Sequence, residues 1–173
     1  MVLIRGLKWT DMNQLVDNYY SYYDEVRNES PELGLVFYHS KPAFEYEVEW
    51  FSNIFKGVLS GDVIGMVAEE DGKVIGFCDV HRVMPGYEVS HIGSLGIAIR
   101  KEYRGKGIGK MLMKNTIEQC KGNFEMLILG VFAGNQKAIS LYEDMGFTEY
   151  GILHNAIKRG DKYFDEKRMY LIL

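Results

Sequence analysis

The sequence predicts an α/β (α+β) domain in which four helices pack on a mixed central sheet of about seven strands. Two observations predict this class. Residues 63–70 and 73–80 are rich in Val, Ile and Phe, and the Asp71-Gly72 pair between them indicates a β-hairpin with antiparallel strands. Residues 89–132 have the pattern of strand, helix and strand, which requires a parallel crossover connection. A sheet with both kinds of pairing follows.

The first three elements are a strand and two helices. Residues 2–8 are predicted to form the strand, and Thr10 is expected to cap a helix that reaches about Arg27. Pro42 is expected at an early position of the second helix, which ends where residues 60–62 break its pattern. The apolar residues that recur in it at three- and four-residue spacing are Phe44, Val48, Phe51, Ile54, Phe55, Val58 and Leu59.

The predicted hairpin follows, and six further elements complete the chain. A glycine commonly ends a helix, which places the end of the last predicted helix at Gly146. The six elements are strand, helix, strand, helix, strand and strand, over residues 89–100, 108–120, 126–132, 135–145, 147–155 and 163–173.

Composition indicates one soluble domain over residues 1–173. The length of 173 residues and the hydrophobic content of 47% are enough for a single core, and no linker or repeat divides the chain. The net charge of −4 argues against nucleic acid as the main ligand. No apolar run has the length of a signal-peptide core or a bilayer span, so we expect a cytoplasmic protein without membrane association. Cys78 and Cys120 lack metal or disulfide spacing and are expected to be reduced and buried, so no metal site is predicted.

A glycine-rich segment, YRGKGIGKMLM at residues 103–113, precedes the third predicted helix. Successive amides in such a turn, together with the helix dipole, favour an anion such as phosphate. The spacing excludes a Walker loop, because Met111 stands where Ser or Thr is required, and it lacks the dinucleotide-binding pattern G-x-G-x-x-G. The alternative is that the glycines only permit a tight turn.

Basic residues around this turn favour the phosphate interpretation, because the chain as a whole is negatively charged. They are Arg100, Lys101, Arg104, Lys106 and Lys110.

Two blocks of sequence resemble one family. Residues 95–110, LGIAIRKEYRGKGIGK, are similar to motif A of the GNAT superfamily of N-acetyltransferases, whose loop Arg/Gln-x-x-Gly-x-Gly/Ala matches residues 104–109. Residues 134–147, GNQKAISLYEDMGF, resemble the second block, Asn-x-x-Ala-x-x-x-Tyr followed by Gly-Phe. The tail after residue 158 resembles small-amine and protein acetyltransferases more loosely, and the first sixty residues carry no signature.

The resemblance implies the GNAT fold and an acetyl-CoA-dependent N-acetyltransferase. The backbone of Ile97, Ala98 and Ile99 would pair with the pantetheine arm of acetyl-CoA, on a strand that splays from its neighbour. Asn135 would also contact this arm, and Tyr142 would protonate the departing thiolate. The loop that would hold the pyrophosphate comprises Arg104, Gly105, Lys106, Gly107, Ile108, Gly109 and Lys110.

The resemblance leaves the general base open. N-terminal acetyltransferases of the family often carry a glutamate at the position of Gly130, which has no side chain to accept a proton. The absence of this glutamate favours an acceptor amine of low pKa, and water alone is a further possibility for the base. The candidate side chains are Asp79, His81, Glu88 and His91.

The acceptor is expected to be a primary amine of a small molecule, a peptide or a protein N-terminus. In the GNAT fold the first two helices shape the acceptor pocket, and here residues 19–23 and 45–50 combine aromatic and acidic side chains suited to a cation. The alternative is that they are core residues and a solvated helix face. A non-catalytic acyl-CoA sensor is the alternative function, and the edge strands leave a homodimer possible.

Overall fold

The computed structural model of the protein describes residues 1–30, 33 and 40–173. Seven strands and four α-helices are present in this part of the chain, in the predicted order. The strands are β1 (Val2–Gly6), β2 (Val63–Glu70), β3 (Lys73–Arg82), β4 (Ile92–Ile99), β5 (Met126–Phe132), β6 (Thr148–Arg159) and β7 (Lys162–Ile172). The helices are α1 (Met12–Asn28), α2 (Phe44–Ser60), α3 (Ile108–Cys120) and α4 (Gln136–Asp144).

All seven strands form one sheet in the order β1-β2-β3-β4-β5-β7-β6. Every neighbouring pair is antiparallel except β4 and β5, which are parallel and joined by the crossover through α3. The predicted hairpin and the predicted crossover are therefore both confirmed, and with them the mixed α/β fold.

Helices cover the two faces of the sheet with separate hydrophobic clusters. On one face, α3 and α4 pack on a cluster that includes Leu112, Leu129 and Ile139. On the other, α1 and α2 pack on a smaller cluster that includes Leu15 and Phe51. We call these the α3/α4 face and the α1/α2 face.

The start of the first helix differs from the prediction that Thr10 caps it. Residues Trp9–Asp11 form a 3-10 turn ahead of α1, and the buried Asp11 carboxylate accepts a hydrogen bond of 2.8 Å from the amide of Lys8. The same carboxylate pairs with Arg5 at 2.7 Å. The charged Asp11 carboxylate accepts from both a backbone amide and a guanidinium, and these bonds are stronger than a bond to the neutral Thr10 hydroxyl. The chain therefore turns around Asp11 before the helix begins.

Several element ends also differ from the predictions. Strand β4 begins at Ile92 rather than at residue 89, because residues 83–91 form a turn-rich segment. Helix α2 begins at Phe44, after Pro42, whose carbonyl accepts a hydrogen bond of 3.0 Å from the Tyr20 hydroxyl. The last two strands extend further toward each other than predicted and form a long hairpin.

Two other sequence expectations can be compared with the structure. Cys78 and Cys120 are buried with free thiols, as predicted. Among the described residues, no helix combines the length and the apolar composition needed to span a bilayer.

Candidate active site

The glycine-rich segment forms the turn that enters α3. After a 3-10 turn at Lys101–Tyr103, Gly105 and Gly107 adopt positive φ angles of 74° and 77°. Such left-handed conformations are costly for residues with a Cβ atom. Gly107 stands at the N-terminal cap of the helix, so the turn requires glycine there for its backbone conformation.

Free backbone amides line this turn. The first hydrogen bond of the helical ladder at this end runs from the amide of Met111 to the carbonyl of Gly107, at 3.1 Å. Within the described part of the chain, no backbone carbonyl outside the helix accepts from the amides of residues 105–110. These donors lie at the positive end of a 13-residue helix, which is the usual arrangement of an anion site.

Most of the basic side chains near the turn are engaged within the protein. Arg104 binds both oxygens of Glu25 on α1, at 2.6 and 2.8 Å, and its Nε donates to the carbonyl of Ile99 at 2.7 Å. The other ion pairs join Arg100 to Glu102, Lys101 to Glu29 and Lys110 to Asp144. Lys106 has no carboxylate partner among the described residues and lies over the ring of Tyr103, at 5.3 Å.

Strands β4 and β5 separate beyond their first residues. Over their full described length they pair only where Ile92–Ser94 runs beside residues 126–128. Further along, the edge of β4 is open, and the splay that the resemblance implies is present. We call this opening the β4–β5 gap.

Backbone polar groups of β4 point alternately toward β3 and toward the gap. The amide of Arg100 donates to the carbonyl of Ile75 on β3, which fixes the alternation. The peptide groups of Ala98 therefore face β3, whereas those of Ile97 and Ile99 face the gap. The Ile99 carbonyl is occupied by Arg104, so Ile97 and the Ile99 amide offer the open backbone groups.

Helix α4 positions Asn135 and Tyr142. The Asn135 side chain caps the helix by accepting from the amide of Ala138 at 3.2 Å, as its residue type predicts. Tyr142 is 8% exposed and belongs to the α3/α4 cluster, together with Leu95 of β4 and Leu129 of β5. Burial raises the pKa of the Tyr142 phenol above its ordinary value, so the hydroxyl is protonated at neutral pH.

The four candidate bases fall into two groups. Glu88 and His91 lie at or before the start of β4, at the opposite end of the strand from the gap, and His91 Nδ1 contacts the carbonyl of Glu88 at 3.0 Å. Asp79 and His81 lie on β3, on the α1/α2 face, and hydrogen-bond to each other. That bond raises the pKa of His81. The Asp79 Oδ1 atom lies 3.2 Å from the position that a Cβ on Gly96 would take.

A carboxylate that the sequence analysis missed lies beside Gly130. A Cβ atom on Gly130 would come within 2.3 Å of Glu166 Oε1, so the Glu166 side chain occupies the space above this glycine. Glu166 belongs to β7, its side chain is 15% exposed, and Arg168 binds it at 2.6 Å. The sequence shows an acidic and a basic residue, Glu166 and Arg168, two positions apart on the last strand. Their position beside Gly130 follows only from the pairing of β5 with β7.

The aromatic and acidic residues of α1 and α2 divide between core and cavity. Tyr22, Tyr23 and Glu47 are buried, and burial raises the pKa of Glu47. The core interpretation therefore applies to these three. On the α1/α2 face, a cavity of about 470 Å³ lies between α2 and β3, and it is lined by Tyr46, Glu49, Trp50, Asn53, Ile54 and His81.

Comparisons with known proteins agree on one family. The acetyltransferase (GNAT) family model matches residues 16–147, which are most of the chain. An N-alpha-acetyltransferase from Sulfurisphaera tokodaii is 27% identical over 169 residues, covering 91% of this chain and 87% of that protein. The chain spans only 57% and 62% of the length of two further curated relatives, from Bacillus subtilis and Escherichia coli.

Solved structures agree with the family match. The ribosomal-protein-alanine N-acetyltransferase from Brucella melitensis has a TM-score of 0.84 and 27% identity, over 99% of both chains. A GNAT superfamily phosphinothricin acetyltransferase from Sinorhizobium meliloti, solved in complex with acetyl-CoA, has a TM-score of 0.79 over 99% of this chain and 88% of that one; its 20% identity shows the fold alone. The chain belongs to the GNAT family of acetyltransferases.

Proposed function

We propose that the protein is an acetyl-CoA-dependent N-acetyltransferase that acetylates a primary amine of a small molecule, a peptide or a protein N-terminus. The β4–β5 gap is the observation that carries this proposal, because it leaves backbone groups of β4 open on the strand that leads into the amide-lined turn of α3. One extended thioester with a phosphate group at its far end fits this succession of groups.

Each part of acetyl-CoA has a proposed contact. The amides of residues 105–110 hold the pyrophosphate, with help from the Lys106 side chain and from Lys110, whose exposed and therefore weak pair with Asp144 gives way to the phosphates. The open groups of Ile97 and Ile99 pair with the pantetheine arm, and Asn135 contacts the arm from the start of α4. Ala98 lies between these two residues on β4, but its own peptide groups face β3 and do not pair with the arm. Arg104 supports the conformation of the turn and does not bind the pyrophosphate through its guanidinium, because Glu25 holds that group.

The reaction is a direct attack of the amine on the thioester carbonyl. A backbone amide at the open edge of β4 stabilises the oxygen that becomes negative in the transition state. Tyr142 donates its proton to the departing thiolate, a role for which a protonated phenol in a dry environment is suited.

The names of the relatives point to the α-amino group as the first acceptor to test. The protein from Sulfurisphaera tokodaii is named an N-alpha-acetyltransferase, and the one from Brucella melitensis a ribosomal-protein-alanine N-acetyltransferase. An α-amine has a pKa near 8 and is therefore deprotonated at much lower cost than a lysine side chain. The cavity between α2 and β3 would receive the rest of the acceptor.

The test is thiol release from acetyl-CoA with α-amino peptides, lysine peptides, polyamines and amino acids, by the wild type and Tyr142→Phe. We expect the substitution to lower kcat at least about tenfold with acetyl-CoA affinity nearly unchanged, because only the proton donor is removed. Tyr22→Phe is the matched control, since the Tyr22 hydroxyl is buried and has no hydrogen-bond partner in the described part of the chain. Full activity of Tyr142→Phe would remove Tyr142 from the mechanism.

A further inference from the structure

We propose that Glu166 is the general base, which takes a proton from the acceptor ammonium at the β4–β5 gap; this inference rests on the proposed acetyltransferase function. The position on β5 from which a side chain would reach the gap is Gly130, and it has no side chain. The carboxylate that fills the vacant space comes instead from the neighbouring strand β7.

Strand register places Glu166 on the acceptor side of the sheet. In the pairing of β5 with β7, Phe132 lies opposite Glu166 and Gly130 lies opposite Arg168, so these four residues share one face. The opposite face carries Leu129 and belongs to the α3/α4 cluster. Glu166 is therefore on the α1/α2 face, and Tyr142 is on the other side of the sheet. An acid and a base on opposite sides of the gap suit a thiolate that leaves on one side and an amine that enters from the other.

The Glu166 side chain extends along the sheet from Phe132 toward Gly130, which brings its carboxylate to the gap. Glu166 Oε1 and Oε2 would lie 2.3 and 3.2 Å from a Cβ on Gly130, although Glu166 pairs with Phe132, two residues further along β5. The Ala133 amide donates to Asp165 on β7, so by alternation the peptide groups of Gly130 point away from β7 and toward β4. The carboxylate thus lies above the rim of the gap.

Charge around Glu166 fits a proton acceptor. Arg168 Nη2 binds one carboxylate oxygen, Oε2, at 2.6 Å, whereas Oε1 lies closer to Gly130. The Arg168 side chain is 43% exposed, and the Glu166 side chain is 15% exposed. A carboxylate with one oxygen held by a cation retains lone pairs on the other for the ammonium.

A second carboxylate, Asp79, lies over Gly96 on the opposite rim of the gap, and it is the rival for this role. The two glycines correspond in register, because Ser94 pairs with Ile128 two residues earlier on each strand. The Asp79 carboxylate is hydrogen-bonded to His81, which lines the cavity beside α2. We assign this pair to binding of the acceptor.

The proton balance of the reaction is simple. The ammonium gives one proton to Glu166, and the nitrogen lone pair forms a bond to the acetyl carbonyl carbon while the π electrons move to oxygen. When these electrons return, the carbon–sulfur bond breaks and the thiolate takes the Tyr142 proton. The second nitrogen proton, lost as the amide forms, restores Tyr142 through solvent, and Glu166 releases its proton to solvent. The products are the amide, the CoA thiol and one proton.

The experiment compares the wild type with Glu166→Gln, which keeps the size of the side chain and removes its charge. With an amine that the wild type acetylates, we expect kcat to fall at least about 100-fold, in the range of general-base contributions. Acetyl-CoA affinity by calorimetry should stay within about threefold, because Glu166 does not bind the donor. Glu149→Gln is the control, since Glu149 forms a similar ion pair, with Lys167 at 2.7 Å, on the opposite face of the same hairpin.

Two double variants separate catalysis from a structural ion pair. Gly130→Glu/Glu166→Ala returns a carboxylate to the gap from β5 and should be at least about tenfold more active than Glu166→Ala. Glu166→Gln/Arg168→Met removes both ion-pair partners and should remain as slow as Glu166→Gln, because the base is still missing.

Three results would overturn the inference. One is near-wild-type kcat for Glu166→Gln in an enzyme whose wild type is active, and another is recovery of activity when Arg168 is also removed. The third is a wild type that releases thiol with none of the amines, which would end the proposed function as well. Loss of kcat in Asp79→Asn but not in Glu166→Gln would transfer the role to Asp79.

Discussion

At the residue scale, the buried carboxylate of Glu25 connects α1 to the turn that enters α3. Its 8% exposed side chain binds Arg104 through two hydrogen bonds, and Arg104 in turn binds the carbonyl of Ile99. Removing one member of a buried ion pair leaves the other charge without compensation. The geometry of the glycine-rich turn that enters α3 therefore depends on a residue of the opposite face of the sheet.

Substitution of Glu25 tests this dependence. We expect Glu25→Gln to lower the free energy of unfolding by about 2 kcal/mol, less than for a fully buried pair because Arg104 is one third exposed. It should also weaken acetyl-CoA binding. Urea unfolding and calorimetry measure the two effects. Glu29→Gln is the control, because its ion pair with Lys101 is exposed and should contribute little to stability. Equal behaviour of the two variants would contradict the proposed connection.

Residue roles could be predicted only where local sequence determines them. The capping of α4 by Asn135 followed from its residue type, and the burial of Tyr142 on the same helix agrees with its register. The partner of Arg104 could not be predicted, because Glu25 lies 79 positions earlier and nothing local connects them. The prediction that Thr10 caps α1 was wrong for the same reason, since it took no account of Arg5.

At the element scale, the start of α3 is the feature on which the proposed binding of acetyl-CoA depends. Gly107 at φ 77° and Gly122 at φ 85° flank the two ends of this helix. A Cβ atom added at either position would have no neighbouring atom within 4 Å. Gly107→Ala and Gly122→Ala should each cost about 1 kcal/mol of stability, because both force a Cβ into a left-handed conformation. Calorimetry should show weaker acetyl-CoA binding for Gly107→Ala alone. Equal affinity in the two variants would mean that the turn does not bind the phosphates.

Elements were predictable where hydrophobic periodicity is strong. The seven strands and four helices and their order agree with the sequence prediction, including the crossover through α3. Element ends were less predictable, because the β-branched Val89 resembles the start of a strand but lies in a turn-rich segment that reaches residue 91. Strand β6 is mostly exposed and extends to Arg159. Its length depends on backbone pairing with β7 and not on a pattern of buried apolar residues, so the sequence did not indicate where it ends.

At the scale of the whole molecule, the sheet separates two chemical environments and the β4–β5 gap joins them. Tyr142 lies on the α3/α4 face, and Glu166 with the Asp79–His81 pair lies on the α1/α2 face. The residues of the proposed donor site lie in two contiguous blocks, which is why the resemblance could be seen in the sequence. The proposed acceptor side combines residues of β3, β7 and α2, which come together only through register and packing.

Isothermal titration of the purified protein with acetyl-CoA, with ATP and NAD as controls, tests the central claim most directly. We expect micromolar binding of acetyl-CoA, and neither control ligand should bind comparably. The reason is that the glycine-rich turn that enters α3 and the open edge of β4 together match an extended thioester with a phosphate group at its far end. Absence of acetyl-CoA binding, or equal binding of ATP, would contradict the assignment of the turn, the gap and Tyr142 to one donor site.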